Sequence, residues 1–310
     1  MEIFDAEDTG ARLPYAGLAE SIREVALARR SDEVQAPPRT ALSLPEGGVL
    51  LLMPASDESI AITKLVTYHP ENARSGLPTI QGEVIVMDAA TGTRLGILDG
   101  SVATARRTAA LSMLAAKTLA PRPDGPLLIV GAGTQGRAHL EAFREGLEVS
   151  RVFLTSRTRE RAESLAEHAG SLGMEARVVN GPEEALEEAD LVVTATTSRE
   201  PVLPEVLPPA VFVAAVGAFN PEMAELPAGL LSRSTVVVDT LEGTREEAGD
   251  LIQAHNAGAF DWDTATPLED ALRSPVRPNG PIVFKSVGHA LWDLAAARTA
   301  FDPREDDASD

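Results

Sequence analysis

The spacing of hydrophobic residues changes along this chain, and the changes mark out its elements. Residues 14–30 carry Leu18, Ile22, Val25 and Leu27 among alanines and glutamates, an imperfect apolar stripe that predicts a helix. Pro37-Pro38 ends it, since paired prolines cannot continue the ladder. Short aliphatic and β-branched runs follow at 39–43, 49–53, 60–67 and 80–87, and each reads as a strand. A polar turn at 55–59 joins two of them, and Asp88-Ala89-Ala90-Thr91-Gly92 turns the last into 94–98. Asp99-Gly100-Ser101 then caps a helix over 102–119, alanine-rich, with Arg106-Arg107-Thr108 in its first turns. The proline-rich stretch 121–126 is a boundary.

Beyond it the pattern alternates strand and helix. Leu127-Leu128-Ile129-Val130 reads as a buried parallel strand and runs straight into Gly131-Ala132-Gly133-Thr134-Gln135-Gly136, with a helix continuing from Arg137. Further strands are expected at 152–155, 176–179, 191–194, 211–216 and 235–239, with helices at 159–172 and 286–299. This is the signature of an α/β fold, a Rossmann-type doubly wound parallel sheet. An N-terminal α+β domain, 1–120, precedes it and is expected to be completed by 288–310; the sheet domain occupies 121–287. The tail 302–310 is acidic and apolar-poor, a composition expected to be disordered.

Composition narrows the classes of function. The 310 residues suffice for two domains with real cores, and no apolar run is long enough to span a membrane. The acidic N-terminus lacks a signal-peptide pattern, so the expected location is cytoplasmic. A net charge of −20 argues against nucleic acid and anionic membranes as partners. With no cysteine there is no disulfide, thiolate metal site or cysteine nucleophile. The histidines His69, His139, His168, His255 and His289 do not pair at metal-ligand spacing, so no metal is expected.

The glycine loop carries the clearest chemistry. Gly131 permits the turn off the strand, Gly133 lets a pyrophosphate approach the backbone, and Gly136 lets the helix pack on the sheet. The helix N-terminus then offers N–H groups to the phosphates. The bland alternative is a glycine-rich structural turn. At the end of the second strand, an acid would bind the ribose 2′-hydroxyl of NAD(H). Here the residues are Ser156, Arg157 and Thr158. Arg157 can pair with a 2′-phosphate and its neighbours can donate to it, so NADP(H) is favoured over NAD(H) unless Arg157 is an ordinary surface arginine.

Three blocks resemble the ornithine cyclodeaminase/mu-crystallin family. They are Thr63-Lys64-Leu65-Val66 continuing through His69-Pro70-Glu71-Asn72 to Gly82, Leu98-Asp99-Gly100 with Ala103-Thr104-Ala105-Arg106-Arg107-Thr108, and Phe284-Lys285-Ser286-Val287-Gly288-His289-Ala290-Leu291-Trp292-Asp293. The resemblance implies an N-terminal domain that binds substrate and forms a homodimer, an NAD(P) domain, and an active site in the cleft between them. By position, Arg39, Lys64 and Arg107 match residues holding the substrate's carboxylate and reacting nitrogen, with Lys64 the catalytic candidate, and Val287 matches a residue near the substrate. Thr79, Arg107, Thr134, Gln135, Thr196, Val216 and Ser286 match cofactor contacts. The residues also bear plainer readings: Lys64 as an edge-strand charge that discourages aggregation, Arg39 as a surface salt bridge. Arg107, near a helix N-terminus, opposes the helix dipole and calls for an anionic partner.

Two departures shape the expected activity. Cyclodeaminases carry an acid/base aspartate where this chain has Phe219, within Gly217-Ala218-Phe219-Asn220-Pro221, and a glutamate facing ornithine's amine where it has Leu51. The Gly-Ala-Phe-x-Pro run is similar to that of the family's cyclic ketimine reductases. The expectation is NADPH-dependent reduction of a small cyclic imino acid, Δ1-pyrroline-2-carboxylate or Δ1-piperideine-2-carboxylate, to L-proline or L-pipecolate. The alternatives are an alanine-dehydrogenase-like reductive amination, an ornithine cyclodeaminase, and a non-catalytic NADP-linked binder of the mu-crystallin type.

Overall fold

Strand alternation in the first third of the chain builds one sheet with a covered face. A computed structural model describes residues 2–31 and 33–301; the tail expected from 302 on lies outside the described residues. The first six strands are β1 (Glu2–Ile3), β2 (Thr40–Ser43), β3 (Val49–Ser56), β4 (Ile60–Tyr68), β5 (Ile80–Asp88) and β6 (Arg94–Asp99). They form a sheet in the order β1-β6-β5-β4-β3-β2, antiparallel except for the β1–β6 pair. Met53 pairs with Lys64, Lys64 with Val84, and Val84 with Leu98, so one buried row crosses four strands with the lysine inside it. That face packs on the helix Ala290–Ala300, which itself packs on the helix Tyr15–Ala28 through which Leu18, Ile22 and Val25 are buried. On the other face Leu50, Leu52, Leu65 and Ile85 stay half-buried, and Leu42 of the edge strand β2 is 55% exposed.

The chain clusters into two compact units. One runs to Arg107 and resumes at His289; the other is Thr108–Gly288. The passage from one unit to the other falls inside the helix Gly100–Leu119. Asp99 Oδ1 accepts from Val102 N at 2.8 Å and caps that helix.

The second unit holds β7 (Leu127–Val130), β8 (Arg151–Thr155), β9 (Glu175–Val178), β10 (Leu191–Thr194), β11 (Phe212–Ala215), β12 (Thr235–Val238), β13 (Thr266–Pro267) and β14 (Ile282–Lys285). They make an eight-stranded parallel sheet in the order β13-β12-β14-β11-β10-β7-β8-β9. Strands β7, β10, β11 and β14 are buried throughout, the continuous apolar pattern of a sheet covered on both faces. Two sequence expectations need correction. The residues before Gly288 were expected to lead directly into a helix, but Ile282–Lys285 is a strand inserted between β11 and β12. The last helix starts at Ala290, not 286, and His289 is its N-cap, its ring accepting from Leu291 N at 3.3 Å. Among the described residues no helix is long and apolar enough to cross a membrane, and no group of three or more histidines and acids could hold a metal ion.

Candidate functional site

In the first unit the buried row places Lys64 where no solvated lysine belongs. It is 3% exposed, and β4 lies inside the sheet, so the edge-strand reading fails. Its Nζ lies 2.7 Å from Asp293 Oδ2, and Arg107 Nε donates to Asp293 Oδ1 at 3.3 Å. Asp293 is wholly buried, on the face of Ala290–Ala300 that covers the sheet. Arg107 thus has the anionic partner its helix position calls for. Arg39 sits one residue before β2, half-buried. Burial pushes the Lys64 ammonium down most; Asp293 opposes this, Arg107 and Arg39 add to it, and the pKa ends at about 8. The three predicted cations therefore converge, and the structure adds one carboxylate that sequence reasoning left without a role. The signal for it was a lone acid in the otherwise apolar run Ala290-Leu291-Trp292-Asp293-Leu294-Ala295. Leu51 lies on the same sheet face as Lys64, paired with Val66 and two residues from Met53. Thr79 is half-buried just before β5, and its carbonyl accepts from His69 N at 2.8 Å.

In the second unit the glycine loop has the geometry of a phosphate cradle. Gly131 has φ +115°, and a Cβ there would meet the Ala195 carbonyl oxygen at 2.4 Å. At Gly136 a Cβ would lie 2.0 Å from the Gly131 carbonyl oxygen. A Cβ on Gly133 would meet nothing within 4 Å, so packing within the protein does not require glycine there; an approaching group would. Gly133 caps the helix Thr134–Leu147 without a side-chain hydrogen bond, which leaves the first-turn N–H groups for an anion. Gln135 Oε1 is buried without a hydrogen-bond partner among the described residues. These residues fit a dinucleotide. After β8, Ser156 is half-buried and Arg157 and Thr158 are exposed. Arg157 has no ion pair among the described residues, whereas Arg159 is engaged by Glu163 at 2.9 Å and Asn180 at 3.1 Å.

Buried acids that the sequence did not single out hold the strand ends. Glu225 accepts from Thr196 N at 2.6 Å, Thr196 Oγ1 at 2.8 Å, Thr194 Oγ1 at 3.0 Å and Gly217 N at 2.7 Å. It joins the segments that follow β10 and β11, where Thr196 and Val216 lie. Asp250 Oδ1 in turn accepts from the backbone N–H groups of Glu225 and Leu226. Asp239 Oδ2 accepts from Ser286 Oγ at 2.7 Å, Val287 N at 3.1 Å and Gly288 N at 2.9 Å, fixing the turn after β14. The segment after β11 presents Phe219, 44% exposed. Its carbonyls at Asn220 and Met223 crowd Gly249, where a Cβ would approach them to 2.5 and 2.1 Å, so that position admits only glycine.

The sequence pattern of the ornithine cyclodeaminase/mu-crystallin family matches residues 3–307. The chain is 41% identical over 302 residues to the Δ1-pyrroline-2-carboxylate reductase 1 of Burkholderia multivorans, covering 97% of this chain and 95% of that protein. It is 38% identical over 303 residues to a Δ1-pyrroline-2-carboxylate/Δ1-piperideine-2-carboxylate reductase of Azospirillum brasilense, covering 97% and 96%. The Δ1-pyrroline-2-carboxylate reductase of Thermococcus litoralis, solved with NADH and L-proline, is similar with a TM-score of 0.91 and 28% identity, over 99% of this chain and 98% of that one.

Proposed function

Because the chain belongs to the ornithine cyclodeaminase/mu-crystallin family, we propose that it is an NADPH-dependent reductase of a small cyclic ketimine, Δ1-pyrroline-2-carboxylate or Δ1-piperideine-2-carboxylate, yielding L-proline or L-pipecolate. The observation that carries this reading is the charge balance around Lys64: two guanidiniums and one carboxylate act on a buried ammonium. Cations gathered in this way suit a substrate that brings a carboxylate. Where cyclodeaminases use acids for a diamine, this chain has Leu51, on the Lys64 face of the sheet, and Phe219, after β11.

Arg39 and Arg107 hold the substrate carboxylate, for which a guanidinium fork is the best match. Lys64 hydrogen-bonds the reacting nitrogen and can give it a proton from Nζ. Val287 lines the substrate side. When bound, the nicotinamide supplies a hydride to the imine carbon. The loop Gly131–Gly136, with Thr134 and Gln135, would hold the pyrophosphate. Ser156, Arg157 and Thr158 would hold the ribose 2′-phosphate, and Thr79, Arg107, Thr196, Val216 and Ser286 the remainder. The half-buried row Leu50, Leu52, Leu65 and Ile85, with exposed Leu42 beside it, suits a homodimer interface.

The test is oxidation of NADPH and of NADH against a panel of the two cyclic ketimines, pyruvate with ammonia, and ornithine. The ketimines should be reduced and the others not. Turnover confined to pyruvate with ammonia would make the protein a reductive aminase, and binding of NADPH without any turnover would make it a carrier.

A further inference from the structure

Only three of the 27 basic residues are lysine. Lys117 is exposed, while Lys64 and Lys285 are buried, each with Nζ 2.7 Å from the carboxylate of a buried aspartate. A chain that covers its surface with arginine and keeps lysine for the interior is using the ammonium for something other than solubility. Stability is a poor reason, because a buried ion pair seldom outperforms apolar side chains of the same volume.

The surroundings of Lys64 specify what Asp293 contributes. Neighbouring strands offer only apolar partners, Met53 from β3 and Val84 from β5. The charged groups acting on it are Arg39 from before β2, Arg107 from the helix Gly100–Leu119, and Asp293 from Ala290–Ala300. Burial and both guanidiniums disfavour the ammonium, and Asp293 alone favours it. The same carboxylate reaches Arg107 through its other oxygen. One acid from one helix thus contacts two cations from two other elements and favours the charged form of one of them.

We propose that Asp293 is a positioning residue of the substrate site: it clamps Lys64 and Arg107 to a single carboxylate and keeps Lys64 as the ammonium that serves the substrate nitrogen. The proton leaves Nζ for that nitrogen, the amine left behind stays hydrogen-bonded to Asp293, and solvent returns the proton. This rests on the reductase reading only for the identity of the proton's acceptor.

The lysine count makes the test direct. Side-chain 15N and 13C labelling of lysine gives three signals, assigned by their loss in Lys64→Arg and Lys117→Arg. The free protein, without substrate or cofactor, should show Lys64 charged at pH 7 and titrating near pH 8. In Asp293→Asn its midpoint should fall by about one pH unit or more, the size of effect a hydrogen-bonded counter-charge has. Asp293→Glu should restore most of the shift, and the Lys117 and Lys285 signals should stay in place. An unmoved Lys64 midpoint in folded Asp293→Asn overturns the proposal. Should that variant not fold, the unmodified protein decides: a neutral Lys64 at pH 7 overturns it, and a charged one supports it. Turnover is a separate arm. If the protein reduces ketimines, the pH profile of kcat in Asp293→Glu should keep the same alkaline limb; if it reduces none, the function assigned above fails while the lysine titration still stands or falls alone.

Discussion

Lys285 Nζ lies 2.7 Å from Asp250 Oδ2, with both side chains wholly buried and the lysine at the end of the inner strand β14. Asp250 passes this anchorage on to the backbone of Glu225, and the Glu225 carboxylate passes it to Thr196 and Gly217 at the ends of β10 and β11. In a doubly wound sheet ligands bind beyond the carboxyl ends of the strands, so this relay fixes the two strand ends proposed above to contact a cofactor through Thr196 and Val216.

Glu225→Gln should therefore separate the two halves of the cofactor. Thr196 N and Gly217 N bond different carboxylate oxygens; glutamine keeps one acceptor oxygen and puts a donor NH2 in place of the other, and one buried donor left unpaired costs about 1–3 kcal/mol. Titration should show NADPH binding weakened about 5- to 150-fold by that amount, while 2′-phospho-ADP-ribose, which lacks the nicotinamide, binds within about threefold of the unmodified protein. Equal loss for both ligands would mean that Glu225 supports the fold as a whole.

His139 predicts an acid-sensitive fold. Its Nδ1–H donates to the Gln135 carbonyl at 2.7 Å, and the Ser112 hydroxyl donates to Nε2 at 2.9 Å, so the ring is neutral. Burial lowers its pKa to about 4 from 6.5. Between those values the unfolded chain takes up a proton that the folded one refuses, so stability falls as pH drops from about 6.5 and levels off near 4. The share due to His139 is about 2 kcal/mol between pH 7 and 5. Urea unfolding at the two pH values should show His139→Gln losing less stability on acidification than the unmodified protein; an identical loss would remove His139 from the account.

Arg157→Ala should weaken NADPH far more than NADH. A charge-assisted contact to a 2′-phosphate is worth about 1.5–3 kcal/mol, or roughly 10- to 150-fold. Kd values for the two cofactors by fluorescence titration check this. Parallel losses would return Arg157 to the ordinary surface.

Lys64→Ala should abolish most ketimine turnover and leave NADPH affinity nearly intact, because the lysine is assigned to the substrate side in the proposed mechanism. Activity surviving within about threefold, under roughly 1 kcal/mol of barrier, would make Lys64 structural.

Ornithine should give no proline and no ammonia, with or without added NAD. Its deamination requires proton transfers at nitrogen, where a positioned acid/base contributes about 10²–10⁴-fold. Phe219 cannot act so, and Leu51 cannot pair with the second ammonium. Phe219→Asp alone should not create the activity. Ornithine turnover by the unmodified protein would sink this assignment.

Local periodicity made most of this architecture readable. The period-2 pattern of β3 to β6 and the apolar runs of β7, β10 and β11 lie close to where they were expected, since burial of one face or two dictates the pattern directly. Lys64 was legible because a charge amid apolar strand residues has no local explanation. Strand β14 was not, because Lys285 at its end interrupts the apolar run and because its place between β11 and β12 is a property of the whole sheet. Glu225, Asp239 and Asp250 were invisible for a related reason. Each is an ordinary acid in an acidic chain until the fold brings backbone N–H groups against it, and a lysine against Asp250.

Keeping two lysines inside also changes how the molecule meets its solvent. Apart from Lys117, the exposed cationic side chains among the described residues are arginines. Guanidinium holds its proton far into alkali. Few surface groups are left to titrate above neutrality, so the electrophoretic mobility should stay nearly flat as the medium turns basic. The repulsion that keeps these acidic particles apart would hold over the same range, and colloidal behaviour would depend on ionic strength far more than on pH.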